Sequence, residues 1–365
     1  MGARPLGGDA GGAVSPKPRS GLGVFEGYHS AQVAATVRLN TNESPFPPPP
    51  YLLSRWSDAV ADLSLNRYPD RQATLLRRAI ARFHNVEPET VFVANGSNEV
   101  IQTILLAYGG GEGKAASFEP TYAMYETISR VTATPYAAIE RGADLRIDGG
   151  RLEADLSASG ASVIFVCSPN NPTGMAEDPS LLSQLAADPD RLVVVDEAYG
   201  QFSPLSMVPE VASRDNLVVV RTFSKVWSLA GMRIGYAIAP PEVAEVLWKV
   251  ALPYHVDSSK QLLALYSLDY VTEMEERVAQ LVAEREHLAA RLSGLAVQQW
   301  PSAANFILFR PHGVDAGRLW EQLVERGILI RDWSKWPRLE NCLRVTVGTE
   351  SENRAFLEAL EELLA

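Results

Sequence analysis

Cysteine is scarce in this sequence, with Cys167 and Cys342 as the two thiols among 365 residues. A single pair cannot staple a chain of this length, which disfavours a disulfide-based fold and indicates a reduced, cytoplasmic setting. Cys167 ends an apolar run over 163–166 and is expected to be a buried core thiol. The five histidines stand at no metal-ligand spacing with one another or with cysteine, so we expect no metal site.

The sequence also lacks an excess of basic residues and any long apolar run. Its net charge is -11, and an acidic chain repels both a nucleic acid backbone and an anionic membrane surface. No apolar run approaches the length needed to span a bilayer. Residues 1–21 contain Gly, Pro and Ser without the apolar core of a signal peptide, and they are predicted to form a flexible tail.

What is present is the composition of a globular protein, with 46% apolar and 21% charged residues. Nearly continuous apolar runs alternate with helical patterns in the middle of the chain, at 91–94, 115–118, 163–166, 192–195, 217–220 and 234–239. Such runs are typical of strands that are buried on both faces. We therefore predict an α/β domain whose mostly parallel sheet is flanked by helices.

The pattern changes after Tyr254. A charge-rich helix is predicted over 272–295, short strands over 306–309 and 343–347, and a closing helix from Glu352. These elements predict a smaller α+β domain. The expected division of the chain is a tail over 1–21, an N-terminal arm over 22–50, a large domain over 51–255 and a small C-terminal domain over 256–365.

Ligands of open α/β sheets bind at the carboxyl ends of the strands, so the residues that follow each run carry the functional prediction. The first run is followed by Asn95, Gly96 and Ser97 at the start of a helix, where backbone N–H groups favour an anion. The third run leads into a turn in which Asn171 can present its amide. Each feature alone is common where no ligand binds.

The next two strand ends carry charge. Asp196 ends the fourth run, and a buried carboxylate needs a partner such as an arginine, a helix N-terminus or a cationic ring nitrogen. Lys225 follows the fifth run, near the hydroxyls of Thr222 and Ser224 and eight residues before Arg233. A lone lysine is usually a surface residue. The combined anion site, amide, carboxylate and amine nevertheless match pyridoxal phosphate, whose phosphate, ring and aldehyde need such groups.

The ordered set of motifs resembles the histidinol-phosphate aminotransferase family, within the aspartate-aminotransferase-like, fold type I enzymes that depend on pyridoxal phosphate (class II aminotransferase subgroup). The resemblance extends from about Tyr28 to the C-terminus. It rests on LNTNESP at 39–45, NRYPD at 66–70, FEPTY at 118–122, NPTG at 171–174, DEAY at 196–199, SK at 224–225 with Arg233, RD at 331–332 and LRVTVG at 343–348.

The resemblance implies roles for the central residues. Lys225 would bind the cofactor's aldehyde as an imine and then carry protons. Asp196 would pair with the ring nitrogen. Asn171 and Tyr199 would bind the ring hydroxyl, and Tyr122 would stack on the ring or pack as an ordinary core aromatic.

The resemblance also implies how the charged ends are bound. Tyr68 would reach the cofactor's phosphate from a partner subunit, which makes the expected protein a homodimer with shared active sites. Arg344 would bind a substrate carboxylate, and Arg331 would bind the anionic end of the substrate. The remaining cofactor-binding residues are Ser97, Asn98, Glu99, Thr222, Ser224 and Arg233. Tyr28, Asn42 and Glu43 would join the site if an N-terminal arm lies over it, and otherwise they are loop residues.

The expected reaction is a ping-pong amino transfer between L-glutamate/2-oxoglutarate and histidinol phosphate/imidazole-acetol phosphate. Two alternatives stay open: an aromatic amino acid aminotransferase of the phenylpyruvate/phenylalanine type, and a phospho-amino-acid decarboxylase with the same cofactor. A regulator that binds pyridoxal phosphate without catalysis is disfavoured, because the tail before Gly21 has no room for a DNA-binding module. Such a binder would also be expected to have lost Lys225 or Asp196.

Two departures from the family pattern concern the pocket rim. Lys260 stands where the family has a small hydroxyl residue. Trp333 and Trp336 bracket the loop after Arg331. The tryptophans indicate either an aromatic substrate or ordinary packing, and packing is the simpler interpretation.

Overall fold

The computed structural model describes residues 16–19, 22 and 33–365, which form two sheets with surrounding helices. The strands of this part of the chain are β1 Val37–Leu39, β2 Val91–Ala94, β3 Ala115–Glu119, β4 Tyr136–Glu140, β5 Val163–Cys167, β6 Leu192–Asp196, β7 Leu217–Thr222, β8 Gly235–Ile238, β9 Val297–Gln299, β10 Phe306–Pro311, β11 Ile328–Asp332 and β12 Leu343–Thr346. Its helices are α1 Pro50–Ala61, α2 Thr74–His84, α3 Ser97–Tyr108, α4 Met124–Val131, α5 Leu152–Ser159, α6 Pro179–Leu185, α7 Pro241–Val250, α8 Ser258–Ser267, α9 Val271–Leu292, α10 Ala316–Glu325 and α11 Glu350–Leu364.

The larger sheet has seven strands in the order β2-β8-β7-β6-β5-β3-β4. Strands β7, β6, β5, β3 and β4 are parallel, whereas β8 is antiparallel to both β2 and β7. All six predicted apolar runs are strands of this sheet. Strands β5, β6 and β7 are buried along their whole length, which explains their unbroken apolar sequences. The predicted mostly parallel α/β fold is therefore confirmed.

The edge strand β4 is absent from the sequence prediction. Its residues Tyr136–Glu140 are mostly half-buried or exposed, since they lie at the border of the sheet. An edge strand covered on one side needs no continuous apolar run, so the pattern that revealed its neighbours is missing there.

The smaller sheet has five strands in the order β1-β11-β12-β10-β9. Strand β1 pairs in parallel with β11, with Val37 opposite Ile328 and Leu39 opposite Ile330. The other pairs of this sheet are antiparallel. The short N-terminal strand thus ties residues 40–43 to the C-terminal half of the chain, a pairing that the sequence does not predict.

The C-terminal helices agree closely with their sequence patterns. Helix α9 covers Val271–Leu292, and its buried residues Met274, Leu281, Leu288 and Leu292 form one apolar stripe. Helix α11 begins at Glu350, two residues before the predicted start. Thr349 caps it, since its hydroxyl accepts a hydrogen bond from the backbone N–H of Glu352, whose carboxylate accepts one from the N–H of Thr349.

None of the helices in the described part of the chain is long and apolar enough to cross a membrane. The same residues contain no group of three or more His, Cys, Asp or Glu side chains that could hold a metal ion. The domain limits proposed from the sequence remain a prediction.

Candidate active site

A cavity of about 420 Å³ lies where the parallel strands of the larger sheet end. Cys167, Asp196 and Thr222 are the last residues of β5, β6 and β7, and all three line it. The predicted site residues that the structure brings together here are Asn42, Ser97, Asn98, Tyr122, Asn171, Asp196, Tyr199, Thr222, Ser224, Lys225, Arg233, Arg331 and Arg344. Parallel strands end at one edge of a sheet, so residues far apart in sequence meet in one place.

Asp196 is a buried carboxylate, with 2% of its surface exposed. The hydroxyl of Tyr125 donates a hydrogen bond to its Oδ2 at 2.9 Å, and the backbone N–H of Ala198 donates to its Oδ1 at 3.0 Å. Burial raises its pKa to about 6, against the opposing effect of these two hydrogen bonds. Asp196 is thus mainly ionised at neutral pH, and no basic side chain of the described residues forms a salt bridge with it. A protonated ring nitrogen fits this requirement.

Lys225 follows β7 and points its amine at the N-terminal segment. Its Nζ donates a hydrogen bond to the backbone oxygen of Thr41 at 3.0 Å and lies 5.5 Å from the centre of the Tyr199 ring. Burial is the main cause, and the positive charge of Arg344 the next, of a pKa that is lowered to about 7 for Lys225. A large fraction of this amine is therefore neutral at physiological pH, as an imine-forming lysine requires.

The start of α3 forms the anion-binding end of the cavity. Gly96 precedes the helix with a φ of +83°, and no side chain caps the helix there. The guanidinium of Arg233 packs so closely that a Cβ on Gly96 would lie 2.7 Å from its Nη2. Nη1 of Arg233 donates a hydrogen bond to Oγ of Ser224 at 3.1 Å. A helix N-terminus, a hydroxyl and a guanidinium together are the donor set that a phosphate group needs.

Residues of the N-terminal segment close one side of the cavity. The side-chain amide of Asn42 donates a hydrogen bond to the hydroxyl of Tyr199 at 2.9 Å. The hydroxyl of Thr346, at the end of β12, donates to Oδ1 of Asn42 at 3.0 Å. Burial raises the pKa of Tyr199, so its phenol remains neutral and can donate to a ligand. Asn42 therefore links both sheets to the site.

Two arginines face the cavity from the smaller sheet. Arg331 and Arg344 lie directly opposite each other on β11 and β12, so their side chains share one face. Arg344 donates hydrogen bonds to Oδ1 of Asn171 and, at 2.8 Å, to the backbone oxygen of Asn40. Both guanidiniums lie within 6 Å of the Trp333 ring centre, at 5.7 Å for Arg331 and 5.8 Å for Arg344. Trp333 itself lines the cavity.

Several predicted residues lie away from the cavity wall. Tyr68 is 80% exposed and stacks on Tyr254, with 4.5 Å between the ring centres. The carboxylate of Glu99 accepts a hydrogen bond from the backbone N–H of Asn95 at 2.6 Å instead of lining the cavity. Glu43 accepts a hydrogen bond from the hydroxyl of Thr41 at 2.9 Å. Tyr28 lies outside the described residues.

The two departures from the family pattern have different positions. Lys260 is outside the cavity wall, where its Nζ donates a hydrogen bond to Oδ1 of Asn95 at 2.9 Å and forms an ion pair with Asp257 at 3.3 Å. Trp333 and Trp336 both line the cavity, in an edge-on contact with 5.2 Å between their ring centres. The tryptophans are therefore part of the pocket as well as of the core.

Sequence reasoning missed Tyr125 and Thr41. Tyr125 stands three residues after Tyr122, and this spacing could have indicated that the two rings lie close together. Thr41 contributes its backbone oxygen, which no side-chain pattern can reveal. Cys167 was expected in the core, and it is buried while also lining the cavity.

Comparison with known proteins gives the same assignment as the geometry. The family described as aminotransferase class I and II matches residues 34–360. The histidinol-phosphate aminotransferase of Thermobifida fusca (strain YX) is 41% identical over 345 residues, which cover 91% of each chain. That of Corynebacterium efficiens is 40% identical over 346 residues, which cover 92% of each. The chain belongs to the histidinol-phosphate aminotransferase family. This membership confirms the transaminase class and the pyridoxal phosphate cofactor that the sequence resemblance implied.

A solved structure shows the same fold. The histidinol-phosphate aminotransferase from Sinorhizobium meliloti in complex with pyridoxal-5'-phosphate superposes with a TM-score of 0.82 at 24% identity. The match covers 91% of this chain and 91% of the other. At this identity the likeness concerns the fold of the aminotransferase, and the roles of individual residues depend on the contacts described above.

Proposed function

We propose that this aminotransferase moves an amino group between L-glutamate/2-oxoglutarate and histidinol phosphate/imidazole-acetol phosphate, as a step of histidine biosynthesis. The observation that carries the proposal is the pairing of Arg331 with Arg344 at the cavity wall. Two guanidinium groups on one face of a sheet present neighbouring N–H donors, and together they can bind a carboxylate or phosphate group through charge-assisted hydrogen bonds. Glutamate offers carboxylates and histidinol phosphate offers a phosphate group. The histidinol-phosphate aminotransferases that are about 40% identical to this chain support the choice.

The residues at the strand ends fit the cofactor. Pyridoxal phosphate, when bound, supplies an electron sink for negative charge at the substrate's α-carbon. We assign Asp196 to its ring nitrogen, Asn171 and Tyr199 to its ring hydroxyl, and Tyr122 to its ring face. The oxygen of Asn171 accepts from Arg344, so its NH₂ group is the part that donates to a ligand. The residues assigned to the phosphate are Ser97, Asn98, Thr222, Ser224 and Arg233.

Lys225 performs the proton transfers in this proposal. Its Nζ takes up a proton and returns it, and a pKa near 7 makes both directions accessible at neutral pH. The backbone oxygen of Thr41 holds the amine in place at 3.0 Å. Arg344 orients the substrate's anionic group while its own position is fixed by Asn171 and the oxygen of Asn40. In this proposal, therefore, Arg344 positions the substrate and Lys225 transfers the proton.

The assembly that we propose is a homodimer with shared sites. Tyr68, Leu65, Leu252 and Tyr254 are exposed large apolar residues, and the two tyrosine rings stack on each other. Such a surface suits a second copy of the chain better than water does. In this arrangement Tyr68 would reach the phosphate end of its partner's cavity. We also keep the prediction of a cytoplasmic enzyme.

A second candidate is an aminotransferase for aromatic amino acids. Trp333 and Trp336 form an aromatic part of the cavity wall, which would also suit a phenyl ring on the substrate. The imidazole ring of histidinol phosphate is flat as well, so the tryptophans alone do not decide between the two. The charge of the phosphate group does distinguish the two substrates.

A panel of half-reactions with different amino donors tests which substrate the enzyme uses. Purified protein loaded with pyridoxal phosphate is mixed separately with histidinol phosphate, histidinol, phenylalanine and glutamate, and the loss of the cofactor's visible absorbance is timed. We expect the rate constant at limiting substrate to be highest for histidinol phosphate, and far lower for histidinol because it lacks the anion. A preference for phenylalanine would establish the second candidate. Release of CO₂ from a phosphorylated amino acid would establish a decarboxylase instead.

A further inference from the structure

Tyr125 contacts the site from behind. It lies on α4 with no exposed surface and is not among the residues that line the cavity. Its hydroxyl donates a hydrogen bond to Oδ2 of Asp196 at 2.9 Å, while the backbone N–H of Ala198 donates to Oδ1 at 3.0 Å. Each oxygen of the carboxylate therefore receives one hydrogen bond from the protein, which fixes the plane of the carboxylate.

The ring of Tyr125 is itself held on two sides. It stacks on Phe165 of β5, with 4.9 Å between the ring centres and 10° between the planes. It meets the edge of Tyr122 at 5.6 Å, and Tyr122 lines the cavity. A hydroxyl on a ring packed in this way keeps its direction before any ligand binds, so its hydrogen bond requires little ordering.

The hydrogen bond from Tyr125 matters because other features around Asp196 oppose the ionisation of its carboxyl group. Burial favours the neutral carboxyl, whereas the hydrogen bonds from Tyr125 and Ala198 favour the carboxylate. Negative charge on the neighbouring Glu197 opposes ionisation and the amine of Lys225 supports it. The thiol of Cys167 and the phenol of Tyr199 also adjoin Asp196, and both have raised pKa values that keep them neutral. Tyr125 is the side chain that the structure shows donating to this carboxylate.

We propose that Tyr125 is a positioning residue for the cofactor, whose hydrogen bond orients the Asp196 carboxylate and strengthens its ion pair with the cofactor's ring nitrogen. The inference rests on the proposed role of Asp196. It assigns a task to a residue that touches neither substrate nor cofactor. Because Tyr125 acts only through Asp196 in this proposal, loss of its hydroxyl should weaken the binding only of a cofactor that has the ring nitrogen.

The test compares two cofactors in two proteins. The Tyr125→Phe variant keeps the ring that stacks on Phe165 and loses the hydroxyl. Dissociation constants are measured by titrating the apo-proteins with pyridoxal phosphate and with 1-deazapyridoxal phosphate, in which a C–H group replaces the ring nitrogen. We expect Tyr125→Phe to weaken pyridoxal phosphate binding about tenfold, because a hydrogen bond to a charged group is lost. Binding of the deaza analogue should be the same in variant and wild type.

Tyr136→Phe is the matched control. The hydroxyl of Tyr136 donates a hydrogen bond to the carboxylate of Glu119 at 2.6 Å, so this variant loses an equivalent contact away from the cavity. We expect it to bind both cofactors like the wild type. Equal weakening of both cofactors by Tyr125→Phe would overturn the proposal in favour of a packing role, as would unchanged binding of pyridoxal phosphate. A wild type that binds both cofactors equally would contradict the proposed role of Asp196 itself, and with it the inference.

Discussion

The amine of Lys225 donates a hydrogen bond to the backbone oxygen of Thr41, a residue 184 positions earlier in the chain. The contact exists because β1 pairs with β11 and carries the following residues to the edge of the larger sheet. The same segment contains Glu43, whose negative charge partly offsets the effects that lower the pKa of Lys225. The N-terminal segment therefore both places and tunes the amine.

The first prediction concerns the pH dependence of cofactor capture. Only a neutral amine can attack an aldehyde, and the pKa of Lys225 is lowered to about 7. The rate at which apo-protein captures pyridoxal phosphate should rise about tenfold between pH 6 and pH 8 and then level off. Stopped-flow absorbance across this range measures the midpoint.

Two charge variants should move that midpoint in opposite directions. The guanidinium of Arg344 lowers the pKa of Lys225, so Arg344→Gln should shift the midpoint to higher pH. The carboxylate of Glu43 raises the pKa, so Glu43→Gln should shift it to lower pH. A wild-type rate that keeps rising to pH 10, as for an ordinary lysine, would contradict the account of the site.

The second prediction concerns the backbone at the phosphate end. Gly96 and Gly160 both have left-handed φ angles, +83° and +60°. A Cβ at Gly96 would meet Arg233, whereas a Cβ at Gly160 would meet nothing within 4 Å. Alanine at either position should destabilise the protein by roughly 1–2 kcal/mol through backbone strain. We expect Gly96→Ala, unlike Gly160→Ala, also to weaken pyridoxal phosphate binding by about tenfold or more. Equal dissociation constants for the two variants would show that Arg233 does not act at the phosphate.

The third prediction concerns the loop that carries Trp333 and Trp336. Arg338 in this loop donates hydrogen bonds to the backbone oxygens of Arg141 and Gly142, each at 2.6 Å, and so connects the loop to the segment that follows β4 of the larger sheet. We expect Arg338→Ala to raise KM for histidinol phosphate about fivefold with little change in kcat, because the cavity wall loses its anchor.

Arg310→Ala serves as the control for the loop. Arg310 donates a hydrogen bond to the backbone oxygen of Glu340 in the same loop at 3.0 Å, but from the smaller sheet. Its loss should leave KM near the wild-type value. If the two variants raise KM equally, general loosening of the loop explains the result, and its hydrogen bonds to the segment after β4 do not.

The sequence predicts the large sheet well, and it also predicts that residues after its strands meet in one place, because both follow from local patterns. Asp196 and Thr222 end strands whose sequences are largely apolar, and parallel strands bring such ends together whatever the rest of the chain does. The contacts of Asn42 and Thr41 were harder to predict. They depend on a three-residue strand, β1, which is too short to leave a periodic pattern.

Tyr125 shows a different limit of sequence reasoning. Its residue type and helical spacing fit ordinary core packing, and the ring does pack in the core. Its contact with Asp196 depends on how α4 is seated against β5 and β6, a tertiary arrangement that no single segment encodes. The neighbouring Tyr122 was predicted because a known motif includes it.

The central claim is that Lys225 holds the cofactor, and borohydride reduction tests it most directly. Reduction of the loaded protein converts an imine between pyridoxal phosphate and a lysine into a stable amine, and peptide mass spectrometry then identifies the lysine. The account predicts a label on Lys225 at about one per chain and none in Lys225→Ala. A label on Lys260 or on another lysine, with Lys225 unmodified, would contradict it.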